Sequence, residues 1–198
     1  MENLHLIVGL GNPGGEYAKT RHNAGFLLVQ RLAERWRTSW TYEKKFNTRV
    51  ARPDRGDLPK ALLCEPQTYM NSSGEAVGPL AAFYRVPHSR LLVVVDDADL
   101  PLGELRLRGS GSSGGHHGLE SIEQHLATRS FARLRIGIGR TAGQREITDY
   151  VLGRFSSTEA ALTDKVLTVA CDQVECWLDA GIQKAMNQFN GMVEQRQA

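Results

Sequence analysis

Five consecutive aliphatic residues, Leu91 to Val95, run straight into Asp96, and this run constrains the fold of the 198-residue chain more than any other feature. A run with no polar face suits a strand covered on both sides, as the central strands of parallel sheets are. His5 to Leu10 is a second short apolar run, closed by Gly11, Asn12, Pro13 and Gly14, and suits the same setting. Helical periods separate the extended runs. Phe26, Leu27, Val29, Leu32, Ala33 and Trp36 recur at helical spacing between Asn23 and Arg37. Further helices are predicted from Ser73 to Tyr84, stopped by Pro87, from Leu119 to Leu126, and from Thr158 onward with a bend near Gly181. Thr48 to Arg52 and Ala61 to Glu65 read as two extended runs forming a hairpin or a long turn. Leu105 to Arg108 and Arg133 to Gly139 read as alternating strands, and Ile147 to Leu152 as another extended piece. The glycine/serine tract Gly109 to Gly115 reads as a mobile loop. Strands alternating with helices predict an α/β fold: a twisted, mostly parallel, mixed sheet with helices on both faces, in one domain over residues 1–198. In such sheets ligands gather beyond the carboxyl ends of strands. Here those ends carry Asn12, Asp96 and the loop after Arg108.

With 41% apolar and 23% charged residues, the composition is that of an ordinary globular protein and argues against a disordered or fibrous chain. The net charge of +2 says little about partners, but its distribution is uneven. Seven arginines face three glutamates between Glu104 and Arg145, whereas five acids and one lysine fall between Ser156 and Ala180. That pattern is either a solvated charged surface or a basic face able to meet a phosphate backbone. Cys64, Cys171 and Cys176 have no metal-type spacing, so reduced thiols in the cytoplasm are expected. Glycines interrupt Leu4 to Leu10, which rules it out as a signal segment, and no apolar run approaches the roughly 20 residues that span a bilayer.

Several motifs compete for the chemistry. Gly9-Leu10-Gly11-Asn12-Pro13-Gly14 matches the dinucleotide fingerprint and follows a strand. The fingerprint also needs a helix opening within it and an acid at the end of a second strand. Here the loop continues through Arg21, and Glu34 lies in a helix. Gly111 to Gly115 fits a nucleophile elbow, but no histidine clear of the tract follows in the required order except His125, on a predicted helix. Asp96, Asp97 and Asp99 lack a partner set of metal ligands, so no metal is expected. A carboxylate acting on a nearby base is simpler, and His22 is the candidate base, Asp96 the candidate partner. Asn12, Tyr69 and Asn71 follow separate extended segments, where neutral donors can orient a water or stabilise a developing oxyanion. Together these residues describe hydrolysis of an acyl ester by activated water.

At these residues the chain resembles the bacterial-type peptidyl-tRNA hydrolases. The resemblance rests on Leu6 to Gly14 with Tyr17 and Thr20 to Gly25, Tyr69 to Gly74, Asp96 to Pro101 with Gly103, Gly114 to Leu119, and Arg133 to Arg140, in that order. It implies an esterase that frees peptides from the terminal ribose of tRNA, a cytoplasmic monomer without cofactor, metal or membrane. By the resemblance His22 is the catalytic base, Asp96 its partner, and Asn12 a third catalytic group. Tyr17, Tyr69, Asn71, His116 and His117 bind substrate, and Arg106, Arg108, Arg133 and Arg135 meet RNA phosphates. The chain departs from the family at His117, where an asparagine is usual; an imidazole cannot present an amide's donor and acceptor together. The alternative reading is a non-catalytic RNA-binding paralogue of the same fold.

Overall fold

The computed structural model describes residues 3–54, 56, 59–139 and 147–195. Strand β1 (His5–Gly9) leads through a loop and a short 3-10 turn into helix α1 (Ala24–Arg35). There follow β2 (Trp40–Glu43), β3 (Thr48–Ala51), β4 (Ala61–Pro66), α2 (Ser73–Phe83) and β5 (Leu91–Asp97). The chain continues with β6 (Glu104–Arg108), α3 (His117–Leu126), β7 (Ala132–Gly137), α4 (Ile147–Leu152), α5 (Ser157–Ala180), α6 (Ile182–Phe189) and β8 (Gly191–Met192).

The eight strands among the described residues form one sheet in the order β2-β3-β4-β1-β5-β7-β6-β8. The central strands β4, β1, β5 and β7 are parallel, and both flanks are antiparallel. The fold is therefore the expected α/β sheet, with parallel pairing confined to its centre. The two apolar runs became β1 and β5, which pair directly, Leu6 beside Leu91 and Gly9 beside Val94. Alternate side chains of these strands enter two cores. Ile7, Leu92 and Val94 pack with α1 and α5, while Leu6, Val8, Val93 and Val95 pack with α2 and α3. Burying each such aliphatic side chain stabilises the fold by roughly 1.5–3 kcal/mol, which is why both runs lack a polar face.

The acidic stretch near the carboxyl end has a structural partner. Arg31 bonds Asp164, Arg35 bonds Asp172 and Glu175, and the Trp36 indole N–H donates to Glu175, all fastening α1 to α5. Part of the charge asymmetry is thus spent inside the fold. Ser156 and Glu159 form a capping box that starts α5, which satisfies amides left open at its first turn.

Two expectations change. Ile147–Leu152 is a helix, not an extended piece: its β-branched residues suggested a strand, yet Thr148, Val151 and Leu152 share one side at helical spacing and line a cleft. The edge strand β2 has no counterpart in the sequence reading, because its half-exposed residues leave no clean alternation.

The glycines of the apparent dinucleotide fingerprint serve packing. A Cβ on Gly9 would lie 2.2 Å from the Gly25 carbonyl oxygen, and one on Gly25 2.3 Å from the Leu10 amide nitrogen and 2.4 Å from the Val94 oxygen. The start of α1 therefore lies directly on the ends of β1 and β5, with Phe26 N–H donating to the Leu10 carbonyl. Gly25→Ala should cost about 3 kcal/mol or more, the upper range for overpacking a close contact. Urea unfolding that matches the wild type would show that the crossing can relax.

Candidate active site

The loop after β1 and the end of β5 bring the candidate catalytic residues together. His22 sits in the 3-10 turn (Arg21–Asn23) ahead of α1, and Asp96 is the sixth residue of β5. His22 Nδ1 lies 2.9 Å from Asp96 Oδ1, and His116 Nε2 lies 3.2 Å from the same oxygen. Asp96 is 3% exposed. Burial alone would raise its carboxyl, but hydrogen bonds from His116 and His22 outweigh that and hold it well below the usual carboxylate range.

The protons follow from these partners. An ionised carboxylate only accepts, so both imidazoles donate to it. His22 carries its proton on Nδ1, and its Nε2 has no hydrogen-bond partner among the described residues. His116 Nδ1 accepts from the Leu119 amide at 3.4 Å, capping α3, which agrees with a proton on Nε2. One atom able to ligate a metal from each of His22, Asp96 and His116 lies within 4.8 Å of the others. The two ring N–H groups aimed at the carboxylate account for that closeness.

Asn12 is fixed as firmly. Its backbone N–H donates to Asn23 Oδ1 at 2.9 Å, and Asn23 Nδ2 returns a bond to the Asn12 carbonyl at 2.9 Å. The Met70 amide donates to Asn12 Oδ1 at 2.8 Å. A backbone amide can only donate, so the side-chain oxygen faces Met70 and Nδ2 is left as a donor. Asn23 and Arg21 escaped the sequence reading. Arg21 joins the His22 turn to the start of α5 through Glu159 and the Arg154 carbonyl, its guanidinium 4.4 Å from the centre of the Tyr150 ring. Only the chemistry of a buried arginine beside a catalytic candidate could have signalled that role.

A cleft of about 230 Å³ opens over this pair. Asn12, His22, Asp96, His116, His117 and Arg135 line it, with Thr148, Val151 and Leu152 of α4 opposite. Tyr17, Tyr69 and Asn71 do not line it, and Tyr69 is 65% exposed. His117 is bonded through Nδ1 to Glu120 at 2.9 Å.

The arginines divide into two kinds. Arg106 stands opposite Arg135 and Arg108 opposite Arg133 across β6 and β7, so all four side chains leave the same face. Arg133 is 1% exposed; it bonds Glu123 and the carbonyls of Gly111, Ser112 and Arg129 and stacks on Phe131. A side chain so enclosed has no surface to offer an RNA phosphate, which corrects the expectation for Arg133. Arg135 bonds Asp97 and the carbonyls of Ser112 and Ser113. The tract between Gly109 and Gly115, expected to be mobile, is thereby tethered from below. Arg106 and Arg108 are exposed, and Arg108 makes no ion pair among the described residues. Arg140, part of the last sequence block, lies outside the described residues.

Arg133→Met would leave the carbonyls of Gly111, Ser112 and Arg129 without their donor while Glu123 keeps its pair with Arg129, a loss of about 1–3 kcal/mol. Amides of Gly109 to Gly115 should then exchange faster with solvent. Native stability together with native protection in that variant would disprove the tether.

The profile of the family described as peptidyl-tRNA hydrolase matches residues 6–197. A peptidyl-tRNA hydrolase of Synechococcus sp. (strain JA-3-3Ab) is 50% identical over 187 residues, covering 94% of this chain and 83% of that one. One from Geobacillus kaustophilus is 47% identical over 187 residues, covering 94% and 100%. The crystal structure of peptidyl-tRNA hydrolase from Acinetobacter baumannii superposes with a TM-score of 0.89 at 39% identity, over 97% of both chains. With its sheet and its sequence in agreement, this chain belongs to the peptidyl-tRNA hydrolase family.

Proposed function

We propose that this hydrolase cleaves the ester between peptide and tRNA with a water activated by His22. The observation that carries the reading is the bond from His22 Nδ1 to buried Asp96, which leaves Nε2 at the cleft as a lone-pair base. Nε2 takes a proton from water as the oxygen attacks the ester carbonyl. Asp96 stabilises the imidazolium that forms and keeps the ring in its tautomer. Asn12 Nδ2 donates to the carbonyl oxygen as negative charge develops there. When the bond to the ribose oxygen breaks, the imidazolium returns its proton to that leaving oxygen. Peptide acid and tRNA are the products, and no covalent intermediate is needed.

His116 gains a second role in this scheme. Its bond to Asp96 holds the carboxylate ionised, so it is a positioning residue as well as part of the cleft wall. Tyr17, Tyr69 and Asn71 would meet parts of the substrate outside the cleft, and His117 its rim. Exposed Arg106 and Arg108, with Arg135 at the edge of the cleft, supply positive charge for the acceptor end of tRNA. No helix among the described residues is long and apolar enough to cross a membrane. A one-domain, cytoplasmic monomer working without cofactor or metal is the simplest form of this proposal.

His22→Ala should lower kcat on a labelled N-blocked aminoacyl-tRNA by about 10²–10⁴-fold with the fold retained, the usual worth of a general base. Asp96→Asn should lose a comparable factor, because an amide beside two imidazoles no longer dictates either tautomer. Wild-type turnover by His22→Ala would end this mechanism. Arg108→Ala should weaken tRNA binding on every sequence and reduce the slope of log K against log salt by about one. An unchanged slope would remove Arg108 from the RNA interface.

A further inference from the structure

His22 has a buried neighbour that the hydrolytic chemistry does not use. Arg21 is the first residue of the same 3-10 turn, and its partners all lie more than 100 residues further along the chain. Nη2 donates to both oxygens of Glu159, at 3.1 and 2.8 Å, and Nη1 donates to the Arg154 carbonyl at 2.8 Å. The guanidinium carbon stands 4.4 Å from the centre of the Tyr150 ring and 5.4 Å from that of Phe155. The backbone joins the same segment. Arg21 N–H donates to the Gly153 carbonyl at 2.9 Å, and Thr20 pairs with Arg154 as an antiparallel bridge.

We propose that Arg21 is a positioning residue for the hydrolysis, setting the width of the cleft by holding α4 to the turn that carries His22. The inference rests on the hydrolase reading and extends it. Thr148, Val151 and Leu152 of α4 form the wall opposite His22. A helix of six residues is too short to be stable by itself, and α4 adds no described residue to either core. Its hydrogen-bonded anchors among the described residues are the Tyr150 hydroxyl, which donates to the Ile138 carbonyl at 2.7 Å, and the junction with the Arg21 turn. Glu159 gives that junction a fixed base, because its carboxylate also accepts the Ser156 N–H at 2.6 Å in the capping box of α5. The fit is close: a Cβ at Gly153 would lie 3.1 Å from Arg21 Nη1.

The role is one of distance. RNA on the exposed arginines of β6 brings the ester to the cleft, but its carbonyl must still be held against the water at His22 Nε2, and α4 supplies the surface behind it. Loss of Arg21 leaves the His22–Asp96 bond and the β6 arginines in place. Only the opposite wall slackens, so kcat should fall while KM, set mainly by RNA, holds.

The test is a double-mutant cycle of Arg21→Met and Leu152→Ala on the labelled N-blocked aminoacyl-tRNA. Arg21→Met should lose about 10- to 100-fold in kcat with KM changed less than about threefold, the scale expected of a misplaced reacting group. Arg21→Lys keeps a donor for Glu159 without the planar fork and should recover part of that loss. Tyr150→Leu, which loosens the wall without touching the turn, should reproduce the fall in kcat. In the Leu152→Ala background the loss from Arg21→Met should shrink, because both changes act through the same wall. Amides of residues 150–153 should exchange faster in Arg21→Met, with those of β1 and β5 keeping their protection. Additive losses in the cycle, or protection lost equally in β1 and β5, would make Arg21 a staple of the fold and overturn the proposal. A rise in KM at unchanged kcat would overturn it too. Absence of turnover by the wild type would instead sink the hydrolase reading, with exchange in α4 still deciding whether Arg21 holds the wall.

Discussion

A carboxylate taken out of water needs hydrogen bonds to replace hydration, and Asp96 obtains two of them from imidazoles on different parts of the chain. Much of the architecture follows from that requirement. β5 must carry the acid to the end of the sheet, the loop after β1 must return His22 to it, and α3 must begin where His116 can reach it. Neither histidine can move alone without leaving a buried charge short of a donor. The pair of bonds therefore orients His22 and fixes where the surrounding loops can sit.

The route of the β1 loop depends in turn on close packing. Gly9 and Gly25 let α1 start against the strand ends, and Asn23 clamps the Asn12 backbone in both directions. A pattern that resembles a phosphate-binding loop is here a packing device. Its first glycine, Gly9, admits the backbone of α1, and Gly11 the Phe26 ring, where a dinucleotide fold admits a pyrophosphate. The distinction was legible in sequence, because no acid follows at the end of a second strand.

Other features were legible for equally physical reasons. β1 and β5 declared themselves because strands buried on both faces cannot carry polar residues, and α1 because its buried stripe repeats at helical period. Of the candidate pair, Asp96 lay at a strand end, and His22 stood in the loop that follows β1, just before the helical period of α1. What stayed hidden was whatever depends on three-dimensional partners. Six residues from Ile147 to Leu152 are too short for periodicity to outweigh β-branched composition. β2 is an edge strand with little buried surface to record its face. Arg133 and Arg108 look alike in sequence, alternating with leucine, yet one is enclosed by Glu123, Phe131 and loop carbonyls and the other is exposed. The acids of α5 are similarly matched by arginines of α1 more than 130 residues away in sequence.

That sorting of arginines bears on how binding and chemistry are joined. The segment after β6 starts at exposed Arg108, crosses the glycine/serine tract and ends at His116, which holds Asp96. Arg133 and Arg135 grip the carbonyls between Gly111 and Ser113, and Arg135 also grips Asp97, the neighbour of Asp96. Glycine gives this tract the backbone freedom to make its turns, and the guanidinium groups remove that freedom once the turns are made. Two arginines spent on the protein's own carbonyls thus keep the Asp96 carboxylate and the exposed basic strand in fixed relation. In the proposed mechanism, an ester is then delivered to one imidazole by charges that never touch it.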